Sequence, residues 1–249
     1  MLNERSKQIR RDIINLSQPN FGYHYGGSFS CVEILISLFD HVLQPEDKFI
    51  MSKGHACWGY YVLLREKGYS PLLEGHPHLD ESNGVNFTSG SMGHGFPAAV
   101  GMAMARKINK KPGRIFVLIG DGECQEGTTW ESTLIGGRYS LDNLTVIVDN
   151  NNIQGSGFVS EILDIKPVQA MAEAANWIAE LVDGHNIDAL IQSLQDKNSK
   201  PRLIIAKTIK GKGVSFMENI PAWHAKFLDS EHEKIAKDEL SWEEHLEKP

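Results

Sequence analysis

Apolar runs rich in β-branched residues mark this chain at Ile115–Ile119, Leu144–Val148 and Leu203–Ala206, with further strand-like stretches at Phe49–Met51 and Ile178–Val182. Runs of this length with little polar alternation are those of strands buried on both faces, the habit of parallel sheets. Between them the apolar positions fall at helical spacing. Residues 4–17 place Ile9, Ile13 and Leu16 on one face, and residues 30–43 repeat the pattern with Val32, Leu35, Leu38 and Phe39. Further helices are expected at 55–67, 96–109, 126–140 and 186–198. Strand and helix in alternation predict an α/β fold, a mostly parallel sheet flanked by helices on both faces. Residues 18–28 and 69–95 read as loops. The second is long for a compact domain and dense in Gly, His, Pro, Ser and Asn, which marks it as functional. One domain is expected over residues 1–225, with 226–249 a charged tail or surface helix; no internal repeat is visible.

The two central strands each end in a polar cluster: Gly120-Asp121-Gly122-Glu123-Cys124-Gln125-Glu126-Gly127 after the first, and Asp149-Asn150-Asn151-Asn152-Ile153-Gln154 after the second. In open α/β sheets ligands bind at the carboxyl edge of the strands. Asp121 and Asn151 there offer hard oxygen ligands of the kind magnesium takes together with a phosphate. Gly120 and Gly122 let the backbone approach an anion, and the helix that follows favours negative charge at its amino end. Asp121 also has a plainer reading as a helix cap.

Charge and composition narrow the class. With a net charge of −7, the chain lacks the concentrated Lys and Arg of a nucleic-acid binder. Cys31, Cys57 and Cys124 are far apart, without metal-ligand spacing, and read as reduced thiols of a cytoplasmic protein. The amino terminus has no apolar signal segment and no run approaches membrane-spanning length, so no membrane partner is expected. Gly90-Ser91-Met92-Gly93-His94-Gly95 is a Gly-x-x-Gly-x-Gly loop, weak evidence for dinucleotide binding, and no strand precedes it in the required way.

The two polar clusters resemble the thiamine-diphosphate motif, and five more segments resemble the transketolase family in the same order. They are His24-Tyr25-Gly26-Gly27, Ser52-Lys53-Gly54-His55-Ala56, Gly75-His76-Pro77, the 88–95 loop, and Lys207–Glu218 with Trp223-His224. The likeness runs from about residue 10 to 235 and points to the amino-terminal subunit of the split, two-chain form. It implies a thiamine-diphosphate-binding fold, specifically its diphosphate-binding domain. Asp121, the Asn151 side-chain oxygen and the Ile153 carbonyl would hold Mg2+ (or Ca2+ or Mn2+). Gly120, Gly122, His55 and His224 would face the diphosphate, with Glu123 counted beside them, although Glu123 and Glu131 also read as plain helix residues. Gly90, Ser91 and Met92 would line the aminopyrimidine ring. The resemblance makes His24, His76, Glu126 and His224 the catalytic set. His24 and His76 would face the reacting carbon and substrate hydroxyls, and Glu126 the partner's catalytic glutamate; its plainer reading is a first-turn helix carboxylate. His78 and His94 match no role.

Family members use a second, pyrimidine-binding domain, and no further α/β unit follows residue 213. A separate carboxy-terminal subunit of pyrimidine-binding and C-terminal domains is therefore expected, in an α2β2 heterotetramer acting on sugars or sugar phosphates. Departures from the family pattern are the short 69–75 connection, His94, Ser156-Gly157 and Ala225. They leave three other readings open: an acyloin synthase or unusual-sugar transketolase, a 2-oxo acid decarboxylase component, and a noncatalytic cofactor-binding subunit.

Overall fold

The computed structural model describes residues 2–20, 22–196 and 198–241. Its helices are α1 (Glu4–Ser17), α2 (Tyr25–Ser30), α3 (Val32–Ile36), α4 (Trp58–Glu66), α5 (Gly95–Ile108), α6 (Gly127–Arg138), α7 (Val159–Ile162), α8 (Val168–Ala174), α9 (Ile187–Gln195) and α10 (Ser230–Glu239). Its strands are β1 (Lys48–Met51), β2 (Ile115–Gly120), β3 (Leu144–Asn150), β4 (Ile153–Gln154), β5 (Gly157–Phe158), β6 (Ile178–Asp183) and β7 (Arg202–Lys207). Five of these form one sheet in the order β1-β2-β3-β7-β6, with every neighbouring pair parallel. β4 and β5 make a small antiparallel hairpin beyond β3.

Side-chain alternation sorts the strands between two cores. Phe49, Met51, Phe116, Leu118, Ile147, Ile204 and Ala206 face a layer built by α1 to α4 and α9. Their neighbours Ile50, Ile115, Val117, Ile119, Val146, Val148, Leu203 and Ile205 face α5, α8 and Trp177. Both faces of the central strands are thus dry, which is why their sequences carry no polar alternation. The strands advance β1–β2–β3 in one direction and β6–β7 returns. The helix of that returning connection, α9, accordingly lies across the sheet from α5. The loops after β1, β2, β3 and β7 meet at the carboxyl edge.

The predicted strands and most helices are present, with three differences. The glycine-rich loop ends at Tyr25, where α2 begins. The single helix expected over 30–43 is instead α3 followed by a π-helical segment, Ser37–Val42. The helix expected from residue 55 starts as a 3-10 turn, Gly54–Ala56, before α4. In α2, a Cβ on Gly26 would lie 2.7 Å from the Trp223 carbonyl oxygen, so only glycine admits the 223–224 segment this close. The expected carboxy-terminal helix exists as α10, and its Ala236, with Leu240 just beyond, joins the core. The rest of that expectation, residues 242–249, lies outside the described residues.

A buried ion pair ties helices together and reaches the loops that follow β6 and β7. Arg10 of α1 is bidentate to Glu33 of α3, with Nη1···Oε1 at 2.7 Å and Nη2···Oε2 at 3.0 Å. His185 Nδ1 meets Glu33 Oε2 at 2.9 Å, and His185 Nε2 accepts the Ile209 N–H at 2.8 Å.

Close packing makes glycine substitutions a direct test of these layers. A Cβ on Gly137 of α6 would sit 1.6 Å from the Ala175 carbonyl oxygen, whereas one on Gly101 of α5 meets nothing within 4 Å. Gly137→Ala is expected to lower stability by about 3 kcal/mol through overpacking. Gly101→Ala should raise it by about 0.5–1 kcal/mol through helix propensity. Urea denaturation of the two variants reads both signs.

Candidate functional site

The loops after β1, β2, β3 and β7 each deliver a polar group to one place. β2 delivers Asp121, β3 delivers Asn151 and Ile153, β1 is followed by Lys53 and His55, and β7 by Lys210. They line a cavity of about 220 Å3 with Gly120, Gly122, Glu123, Glu126, Met92 and His224. A wider, open cleft of about 430 Å3 lies at the opposite end of the strands, beside Asp47 and Gly113, and gathers none of the predicted chemistry.

Four of the predicted histidines cluster at this edge. Ring centroids of His24 stand 5.2 Å from His55, 5.6 Å from His224 and 6.2 Å from His76, and His55 and His224 are 5.1 Å apart. Burial and mutual proximity hold them neutral. Burial, then His76 and Lys210, pulls His24 down to about 4. Burial, then Lys210, takes His224 to about 3. His55 is pushed well below the usual imidazole range by burial and Lys53, and His76 is lowered by burial and His78. Four neutral imidazoles can donate and accept hydrogen bonds without adding charge.

Asp121 is buried, its Oδ1 accepting the Gly122 N–H at 2.8 Å and its Oδ2 the Asn152 N–H. The cap reading and the ligand reading therefore coexist, and the Gly122 N–H expected to face a phosphate is donated to Asp121. Burial, and then the nearby Asp149 carboxylate, pushes Asp121 up to about 6. Asn151 Oδ1 accepts the Ile153 N–H at 3.1 Å, and the Ile153 carbonyl accepts from Lys210 Nζ at 2.8 Å. One carboxylate, one amide oxygen and one peptide carbonyl, without sulfur, suit a hard divalent cation. In this structure the Ile153 oxygen is occupied by the Lys210 amine. Among the described residues no three His, Cys, Asp or Glu side chains are grouped to hold a metal. A metal at Asp121 would thus take other ligands from a bound anion.

Glu123 is more than a plain helix residue. It is buried, takes the Ser52 hydroxyl and the Gly93 N–H (3.0 Å) on Oε1 and the Gly120 N–H (3.2 Å) on Oε2, and so pins three loops together. Glu126 stands at the amino end of α6 with no side-chain capping bond, at the rim of the cavity. Met92 reaches the lining while half exposed; Gly90 and Ser91 are exposed and lie outside it, although a Cβ on Gly90 would be 3.6 Å from His76.

The sequence reading gave no role to Lys53, Asp149 or Lys210. Lys53 Nζ pairs with Asp149 Oδ2, both buried, and also donates to the Gly27 carbonyl at 3.1 Å. Burial opposes the Lys53 charge, but Asp149 outweighs it and its pKa is raised. Burial likewise opposes the Asp149 charge, yet Lys53 and the Ser30 and Thr208 hydroxyls lower its pKa. Lys210 has no such carboxylate: burial and the charge of Lys53 pull it down to about 7, and its Nζ lies 2.8 Å from His224 Nδ1. Position was the signal that could have found them, since Lys53 and Lys210 follow β1 and β7 at the edge already singled out by Asp121.

The family described as "Transketolase, thiamine diphosphate binding domain" matches residues 12–248. The chain belongs to the transketolase family. An apulose-4-phosphate transketolase subunit from Actinobacillus succinogenes is 38% identical over 96% of this chain and 95% of its own length. A 6-deoxy-6-sulfo-D-fructose transketolase subunit from Clostridium sp. is 36% identical over 88% of this chain and 89% of itself. Among solved structures, transketolase of Campylobacter jejuni matches with a TM-score of 0.85 at 28% identity, covering 98% of this chain and 43% of that one. The chain thus spans about two-fifths of that transketolase chain, and nearly all of the relatives named as subunits. The thiamine-diphosphate-binding fold expected from the transketolase words is therefore the fold of this chain.

The histidine cluster predicts a sign for acid stability. His24 and His224 have folded pKa values below the unfolded value near 6.5, so the unfolded chain binds more protons on acidification. Their neutral, native form loses stability as pH falls from about 6.5 towards 4. The melting temperature should fall through that window, and less steeply in His24→Asn and His224→Asn, as read by circular dichroism.

Proposed function

We propose that this chain is the amino-terminal, cofactor-binding subunit of a split transketolase. In this reading it moves a two-carbon ketol unit from a ketose donor to an aldose acceptor. It does so only with a separate subunit bearing the pyrimidine-binding and C-terminal domains, in a cytoplasmic α2β2 heterotetramer. The observation that carries the reading is the joining, in a chain of subunit length, of Asp121, Asn151 and Ile153 with His24, His55, His76 and His224 at one sheet edge.

Asp121, Asn151 and Ile153 would hold Mg2+, and His55, His224 and Lys210 would take diphosphate oxygens. When bound, the cofactor supplies the electron sink for carbon–carbon cleavage. His24 and His76, neutral at pH 7, would bind substrate hydroxyls and pass protons at their oxygens. Glu126 carries no bond within the chain's capping pattern and is available to the partner. In this reading the core domain is residues 1–225, and the stretch after it packs onto that core through Leu228, Ala236 and Leu240. The relatives' names mention a phosphorylated sugar and a sulfonated sugar, which supports a sugar phosphate or similarly acidic sugar as substrate. The buried, unpaired thiols Cys31, Cys57 and Cys124 support a reducing compartment. Among the described residues no helix is long and apolar enough to cross a membrane.

Ketol transfer from ketose phosphates, measured with the chain alone and with its partner subunit, tests the reading. The chain alone should give negligible turnover, and the assembled enzyme turnover that depends on thiamine diphosphate and Mg2+. Asp121→Ala should lower that turnover by at least the ~10–100-fold typical of changes around a metal ligand. Normal turnover by the chain alone, or carbon dioxide release from a 2-oxo acid in place of ketol transfer, would overturn it.

A further inference from the structure

Asp149 does not itself line the cavity, yet the side chains of Lys53, Ser30, Asn151 and Thr208 all converge on its carboxylate. Oδ2 is met by Lys53 Nζ, by the Ser30 hydroxyl at 2.5 Å and by Asn151 Nδ2 at 3.0 Å, and Oδ1 by the Thr208 hydroxyl. Asn151 Nδ2 also reaches Ser30 Oγ at 3.4 Å, while the one Ser30 proton has Asp149 and the Gly27 carbonyl (3.0 Å) as its acceptors and is not available to Asn151. Asp149 is fully buried, as is its charge partner Lys53.

An ionised carboxylate only accepts, and the Ser30 oxygen facing Asn151 has only a lone pair left to offer. The edge of the Asn151 amide that faces this pair must therefore be its NH2. Its oxygen is turned the other way, towards the cavity and the Ile153 N–H. An amide whose oxygen and nitrogen are nearly equal in size has no steric reason to choose that orientation; the acceptors behind it and the Ile153 N–H in front of it make the choice together.

We propose that Asp149 is the positioning residue of the metal edge: it locks the Asn151 amide with its oxygen, the atom that can ligate a cation, presented to the cavity. Lys53, Ser30 and Thr208 all aim hydrogens at this carboxylate, so that the edge it turns to Asn151 is an acceptor. This inference rests on the reading of Asp121, Asn151 and Ile153 as the Mg2+ ligands.

An exchange of side chains separates orientation from charge and folding. In Asp149→Asn the neutral amide can present either edge to Asn151, and the ligating oxygen keeps only the Ile153 N–H to hold it. In the double variant Asp149→Asn with Asn151→Asp, composition and net charge are those of the native chain, and the carboxylate at 151 offers oxygen whichever way it turns. Mg2+ is titrated by calorimetry into the full chain in complex with its partner subunit, saturated with thiamine diphosphate, and folding is followed by circular dichroism. Asp149→Asn is expected to weaken Mg2+ binding by about 10–100-fold, the range for residues that orient a metal ligand. The exchanged variant should recover most of that loss. Native affinity in Asp149→Asn, or an exchanged variant that melts like the native chain and binds no better than the single variant, overturns the proposal while leaving the metal site standing. Absence of Mg2+-dependent cofactor binding in the native assembly overturns the site reading, and this inference with it.

Discussion

A lysine and an aspartate buried together behind the sheet's carboxyl edge set the terms for everything in front of them. Placing Lys53 and Asp149 out of water is costly unless each has the other and its remaining hydrogen-bonding capacity is filled. Filling it draws in Ser30 from α2, Thr208 from the end of β7 and the carbonyl of Gly27. Four separated parts of the chain are thereby fixed relative to one another at the point where β1, β3 and β7 end. Asn151 is oriented on this base, and Asp121 feels its negative charge.

In front of that pair the site sets three carboxylates, Asp121, Glu123 and Glu126, beside Lys210 and the histidines. The histidines are neutral, and Lys210, short of a carboxylate, holds its proton weakly near pH 7. A pyrophosphate and a divalent metal could enter such a place as a nearly self-compensating unit, with imidazoles and backbone supplying hydrogen bonds. Glu123 contributes differently, by tying the loops of Ser52, Gly93 and Gly120 into one surface.

The sheet was legible because its information is local: Ile115–Ile119 and Leu144–Val148 are dry on both faces and say so residue by residue. The words around Asp121, Asn151 and the four histidines were legible for the same reason. What escaped depends on distant partners. Gly26 and Gly27 are poor helix formers, yet α2 runs through them because Trp223 and His55 need the space. Nothing near residue 36 announces the π-helical turn. The value of Lys53, Asp149 and Lys210 lies in burial and pairing across β1, β3 and β7, which a linear reading does not contain. The β4–β5 hairpin and the one-turn α7 are too short to leave a periodicity.

The contacts of His185 add a matter of timing. Through Glu33 and Arg10 it links the loop of Ile209 to the first helix, and the His185–Glu33 contact alone closes 152 residues of chain. Contacts this distant form late, because a long loop must be closed before they reward the chain. The backbone leading to Lys210 is therefore expected to settle only once the β6–β7 region has met the first helices. A ribosome-bound fragment ending at β3 would already hold Asp121 and much of the sheet, while its binding edge would still lack an organised wall.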